Sequence, residues 1–180
     1  MPKALPPIKL ELKNIKTFRG REGYGLNADL LVNGQKVCFV RDAGDGGCFD
    51  YDICGDTDEE RKTNRATLQL VEGYAKSLPK RLYGGGMEGE FQPDLETLIN
   101  DLFEEKEGDK EKKKMIKKMA NTLMWGVPND TTYKQVKFKM NFVPAHRVQL
   151  QKYIDEKVKP TLKKGEVIFN TNLQALGIVI

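Results

Sequence analysis

The 180-residue chain has one histidine, one serine and one tryptophan. A Ser-His-Asp or Cys-His catalyst would therefore have to use His146, the side chain that titrates near neutrality, with Ser77 or a cysteine, and no spacing joins them. Cysteine is scarce as well. Cys38, Cys48 and Cys54 are odd in number and separated by nine and then five residues, whereas structural zinc pairs sit two to four apart. With His146 they are the conventional soft ligand set, but they read better as reduced thiols of a cytoplasmic protein. A chain of this size buries about 70% of its unfolded surface, so it needs neither disulfide nor metal to fold. No cofactor is called for. Long apolar runs are missing too: none approaches the roughly 20 residues that span a bilayer. The first twenty residues are interspersed with Lys and Glu, unlike a secretory signal. Neither a membrane span nor a membrane partner is expected.

A dominant charge is also lacking, with 30 Lys and Arg against 26 Asp and Glu. The charges are nevertheless sorted along the chain. Residues 41 to 60 hold one base against eight acids, residues 91 to 110 two against seven, and residues 111 to 120 five lysines against Glu111. A nucleic-acid binder collects base on one surface and folds its acidic blocks away from the phosphates. Only the last 90 residues could present a broadly basic face.

Hydrophobic periodicity then gives the elements. Apolar residues alternate through Ile8 to Lys13, and Ala28 to Val32 and Val37 to Val40 flank Asn33-Gly34, a pair suited to a tight hairpin. Phe49, Tyr51 and Ile53 alternate with Asp50, Asp52 and Cys54 as a fourth strand. These make an antiparallel meander with two glycine-rich loops, residues 20 to 25 and 42 to 47, at one end, without apolar side chains to hold them closely apart from Tyr24. Thr57 and Glu60 form a capping box before a helix whose inner face is Thr67, Leu70, Val71, Tyr74 and Leu78, ending by Pro79. Residues 83 to 90 read as a flexible internal boundary in a single 1–180 domain.

From Pro93, as an early helical residue with Asp94 in the first turn, a second helix carries Leu95, Leu98, Ile99, Leu102 and Phe103 inward. Gly108 interrupts it, and Met115, Ile116, Met119, Leu123 and Met124 renew an apolar helical face until the turn Trp125 to Asp130. Val136, Phe138, Met140 and Phe142 alternate as a strand, Ala145 to Val158 is helical, and Pro160 opposes its continuation. Val167 to Asn170 and Gly177 to Ile180 are expected strands, with the chain end in the core. The fold class is α+β: an N-terminal antiparallel β-meander followed by helices and short returning C-terminal strands.

Three functional readings arise. Asp42, Asp45, Asp50 and Asp52 could supply hard oxygen ligands to Mg²⁺ or Mn²⁺ for phosphoester hydrolysis, though Gly44 and Gly46 occupy the middle ligand positions of an EF-hand pattern. The bland account is a solvated turn whose carboxylates keep a sheet edge unpaired. The glycine loops also admit a phosphate or nucleotide reading through their amides, with Lys16, Arg19, Arg21 and Arg41 nearby, although neither G-x-G-x-x-G nor a P-loop is reproduced. Lys112, Lys113, Lys117, Lys137, Lys139 and Arg147, with Lys114, Lys118 and Lys134 beside them and Trp125 and Tyr133 to stack on bases, make a nucleic-acid surface the alternative. A charged face over a methionine-rich core accounts for the same lysines, and Met115, Met119 and Met124 could form an adaptable groove for a protein. The preferred expectation is a small non-enzymatic adaptor that binds a protein partner through Tyr24, Asp42, Asp45, Asp50 and Asp52, with no catalytic residue and no resident metal.

Overall fold

Alternating apolar residues from Leu10 onward give β1 (Leu10–Arg19), β2 (Tyr24–Val32), β3 (Gln35–Asp42) and β4 (Asp50–Ile53), an antiparallel sheet in sequence order. The structure is a computed structural model that describes residues 8–83 and 88–180. Asn33 and Gly34, both at positive φ, turn the β2–β3 hairpin, as the two-residue loop requires. Leu30 pairs with Cys38 and Ala28 with Val40, so these four share the core face. Cys38 is thus fully buried. An irregularity in the ladder between Leu30 and Leu31 lets Val37 enter the same core. The opposite face is polar and carries Asp29, which accepts from the Asn14 amide at 2.7 Å and pairs with Lys36 at 2.7 Å.

Phe49, Tyr51 and Ile53 turn inward. Thr57 caps α1 (Asp58–Ser77): its side chain accepts the Glu60 N–H, and the Glu60 carboxylate accepts the Thr57 N–H. The inner face is Asn64, Leu68, Val71 and Ala75, and Leu70, expected inside, is exposed. Leu78 is extended ahead of Pro79, the conformation a following proline imposes. β5 (Arg81–Leu82) then pairs with β6 (Glu90–Phe91). Residues 84 to 87, the middle of the expected flexible boundary, lie outside the described residues.

Asp94 caps α2 (Leu95–Met119), its carboxylate accepting the Thr97 N–H at 2.8 Å, with Pro93 lying before the helix. Gly108 does not break α2. A helical glycine costs only about 1 kcal/mol, and the position has open space around it. Leu95, Leu98 and Ile99 complete the core beneath the first sheet.

The chain divides into two compact units, Met1–Glu107 and Gly108–Ile180. In the second, α2 stops at Met119, and Leu123 and Met124 belong to β7 (Thr122–Gly126), every residue of which is buried. They were expected to be helical. A run of five buried residues carries no periodicity that separates strand from helix. β7 is the centre of a three-stranded sheet between β8 (Lys134–Lys137) and β9 (Val167–Ile168). β8 is shorter than the alternation through Phe142 implies, since Phe138 and Phe142 donate their amides to Asn121 and Ala120 instead. A 3-10 turn at Pro144–His146 leads into α3 (Arg147–Tyr153) and a π-helical turn to Val158. Leu150, Ile154 and Val158 all face the core. After β9 comes α4 (Asn172–Ala175). The C-terminus forms no strand: Ile178 is buried, but Val179 and Ile180 are exposed.

Asn170 holds this unit together. It is fully buried, accepts the Met124 N–H at 2.7 Å and donates to the carbonyls of Thr122 at 2.7 Å and Met119 at 3.4 Å. Asn172 donates to the same Met119 carbonyl at 3.0 Å. Among the described residues no helix is long and apolar enough to cross a membrane.

Two stability predictions result. Asn170→Ala leaves a buried amide and carbonyl unsatisfied, so it should cost about 3 kcal/mol, read by urea unfolding through Trp125, the only tryptophan and a resident of that unit. For Asp29, burial pushes the carboxyl pKa up, but the Lys36 ammonium and the Asn14 amide outweigh it and hold the group below its ordinary 3.8. A carboxyl depressed on folding adds stability above its unfolded pKa and loses it as pH falls through the folded value. Asp29→Asn should therefore cost about 1–2 kcal/mol at pH 7, and its melting temperature should begin to approach that of the parent protein below pH ~4 and meet it only once pH has fallen through the lowered folded pKa.

Candidate functional site

The β1–β2 and β3–β4 loops turn at the same end of the first sheet, as the meander demands, and they are fastened to each other. The Gly44 carbonyl accepts the N–H groups of Glu22 at 2.8 Å and Gly23 at 3.1 Å. A Cβ on Gly20 would lie 2.5 Å from the carbonyl oxygens of Ala43 and Gly44, so only glycine permits this approach. Gly44 has φ +67°, and a Cβ there would stand 2.7 Å from the Gly25 nitrogen. The Asp42 carboxylate accepts the Gly44 N–H at 2.8 Å, and the Asp45 carboxylate that of Gly47 at 3.1 Å. Such Asx turns replace backbone partners that a loop lacks. The expectation of loose loops is corrected: backbone hydrogen bonds hold them where apolar side chains do not.

This end of the sheet presents Tyr24, 79% exposed, together with exposed Asp45, Cys48 and Asp50 and a half-buried Asp42. Asp52 lies on the polar face, paired with Arg41 at 3.1 Å. The four aspartates do not converge. Among the described residues no three His, Cys, Asp or Glu side chains are gathered as a metal would need, which removes both the phosphoesterase arrangement and the zinc set with Cys38, Cys48, Cys54 and His146. For a phosphate, the amides of Gly20, Glu22, Gly23, Gly44 and Gly47 are already taken by acceptors within the loops.

The nucleophile candidates are equally placed. All three cysteines are free. Burial above all pushes the Cys38 thiol up to about 12, which keeps it protonated and unreactive. The Ser77 hydroxyl donates to the Tyr74 carbonyl at 2.7 Å as part of the end of α1. His146 lines an apolar cleft of about 270 Å³ with Phe138, Met140, Phe142 and Tyr153.

The second unit is chemically distinct. It carries fifteen Lys and Arg against six Asp and Glu, the first unit fifteen against twenty. Lys114, Lys117 and Lys118 from the end of α2 meet Lys137 from β8 around a shallow cleft of about 310 Å³. Its floor includes Asn121 and Thr122, which join α2 to β7 and were not singled out in the sequence. Tyr133 is 41% exposed, and Lys118 donates to its hydroxyl at 3.2 Å and lies 5.3 Å from its ring centre. Lys112, Lys113 and Lys139 are exposed. Two residues of the expected nucleic-acid surface do not join it. Trp125 is only 7% exposed, packed in the core beneath the sheet, so it cannot stack on a base. Arg147 lines another cleft, with Gln151, Asp155 and Lys159. The expected methionine groove is not present either, since Met119 and Met124 are buried.

Gly44→Ala should force the clasp open, because the methyl group meets backbone on one side and the left-handed φ penalises it on the other. We expect a loss of about 1–3 kcal/mol and faster hydrogen exchange at the Glu22 and Gly23 amides, with Cys38 still protected. No protein-family model, curated protein or solved structure matches the chain, so the character of these surfaces is argued from their own residues.

Proposed function

We propose that the protein is a non-enzymatic accessory protein that binds another protein through the clasped hairpin end of its first unit. The observation that carries this reading is the Gly44 carbonyl shared by two amides of the opposing loop. It fixes the backbone just before Tyr24, and the β1–β2 ladder fixes it just after, so an exposed aromatic side chain is displayed on a surface that loses little entropy when it docks. Tyrosine on a rigid frame is a frequent energetic centre of protein interfaces. Around it Asp45 and Asp50 are exposed, whereas Asp56, Asp58, Glu59 and Glu60 follow β4 to the other end of the sheet, where Cys54 bonds to Val37.

The partner's chemistry follows from that setting: a basic segment with an apolar or cationic group to meet the Tyr24 ring. An exposed free cysteine, Cys48, beside this surface fits a reducing, cytoplasmic setting. No hydrolytic role is included, because Asp42 and Asp45 are tied into the loops, Asp52 pairs with Arg41 and the thiol of Cys38 is buried.

The test is comparative capture from a native extract, using the full chain, Tyr24→Ala and the double variant Asp45→Asn/Asp50→Asn. A protein retained by the parent chain and lost from both variants should, once purified, bind the parent directly and the variants at least tenfold more weakly. Unchanged melting temperatures would show that the loss is local. Partners retained equally by all three proteins would refute the assignment of this surface.

A further inference from the structure

We infer that the second unit binds single-stranded nucleic acid, with phosphates along the lysines that close α2 and bases against Tyr133 and the apolar wall next to it. The argument begins with the charge of that unit, which is independent of the hairpin end. Fifteen bases against six acids in residues 108–180 produce a local field that the whole chain's balance conceals.

Lys117 and Lys137 are also available. The end of a helix carries partial negative charge on its last carbonyls, which lysines there ordinarily offset. Here those carbonyls are otherwise satisfied. Lys117, Lys118, Ala120 and Asn121 each accept a backbone N–H, and Met119 accepts the Asn170 and Asn172 amides. Among the described residues, neither Lys117 nor Lys137 forms an ion pair. Lys114 pairs with Glu111 at 2.7 Å, an exposed contact that a phosphate can exchange with little loss.

Three clefts with shared walls run along this surface. The first, of about 310 Å³, has Lys117 and Lys137 beside Lys114 and Lys118. Lys114 and Lys118 also line the second, of about 440 Å³, which adds Lys112, Met115 and Tyr133. Met115 and Tyr133 in turn line the third, of about 410 Å³, with Val127, Pro128 and Phe169. Lysine walls thus give way to aromatic and aliphatic ones through Tyr133. Glu111 in the second cleft and Asp130 in the third are the carboxylates along this track. An acidic peptide or an anionic membrane would use the lysines alone, whereas a strand with unpaired bases uses both kinds of wall. A duplex hides its base faces, so the apolar end selects against it.

Labelled mixed-sequence DNA and RNA oligonucleotides of about 15 nucleotides, titrated with the full chain and followed by fluorescence anisotropy, provide the test. Binding at ~50 mM salt should weaken with a log–log slope of about −3, that of four or five phosphate contacts on a single strand. Lys117→Glu/Lys137→Glu should lose at least tenfold in affinity and flatten the slope. Tyr133→Phe should bind as the parent does, and Tyr133→Ala should lose about tenfold with the slope kept, the signature of a lost base contact. Tyr24→Ala, at the other surface, should bind like the parent, so failure of the adaptor reading leaves this result unaffected. The inference is overturned by absence of binding at ~50 mM salt, by an undiminished affinity in Lys117→Glu/Lys137→Glu, or by a duplex, polyglutamate or anionic vesicles binding as well as the single strand.

Discussion

The Gly44 carbonyl, accepting from Glu22 and Gly23, is the interaction on which the first unit's surface depends. A four-stranded meander brings its two like-ended loops side by side, but proximity alone would leave them mobile. Two hydrogen bonds and the missing side chain at Gly20 convert them into one surface. The carboxylates of Asp42 and Asp45 are drawn into that construction as turn acceptors. The residues that looked most like chemistry are therefore architecture, and the residue left outside, Tyr24, is the one with contact area to offer.

The second unit solves a comparable problem with side-chain amides. A buried helix end, a central strand and the segment after β9 each have backbone groups that must be paired away from water. Asn170 and Asn172 pair them. Because those amides take over the Met119 carbonyl, the lysines of the last turn of α2 remain at the surface, facing a cleft. The same device that stabilises the core thus determines the character of the outside.

Much of the first unit is legible in the sequence because its signals are local. Asn33-Gly34 dictates a hairpin, Thr57 with Glu60 dictates a helix start, and Pro79 dictates its end. The alternation of Phe49, Tyr51 and Ile53 identifies the covered side of β4. Legibility fails where long-range pairing decides. Leu123 and Met124 sit in an unbroken apolar run whose state is fixed by partners at 134 to 137 and 167 to 168. The terminal Gly177 to Ile180 has strand-like composition, but the Gln151 side chain, not a strand, takes the N–H and carbonyl of Val179. Gly108 resembles a helix break in sequence but leaves α2 intact, since one glycine is a small cost in a 25-residue helix. The surfaces divide in the same way. Lysine composition locates the basic surface, while the burial of Trp125 and the role of Asn170 could not be read without the tertiary pairing that creates them.

The two units also carry opposite excesses of charge, which sum to a mild +4 for the chain. Such a chain carries an acidic body and a basic body, and neither has the character of its mild total. At low ionic strength the acidic unit of one copy attracts the basic unit of another, and dissolved salt weakens that attraction over roughly 10 Å at 0.1 M. Its solubility should accordingly rise as salt is first added, and it should adhere to anion- and cation-exchange matrices alike, behaviour that an isoelectric point near 8.8 conceals.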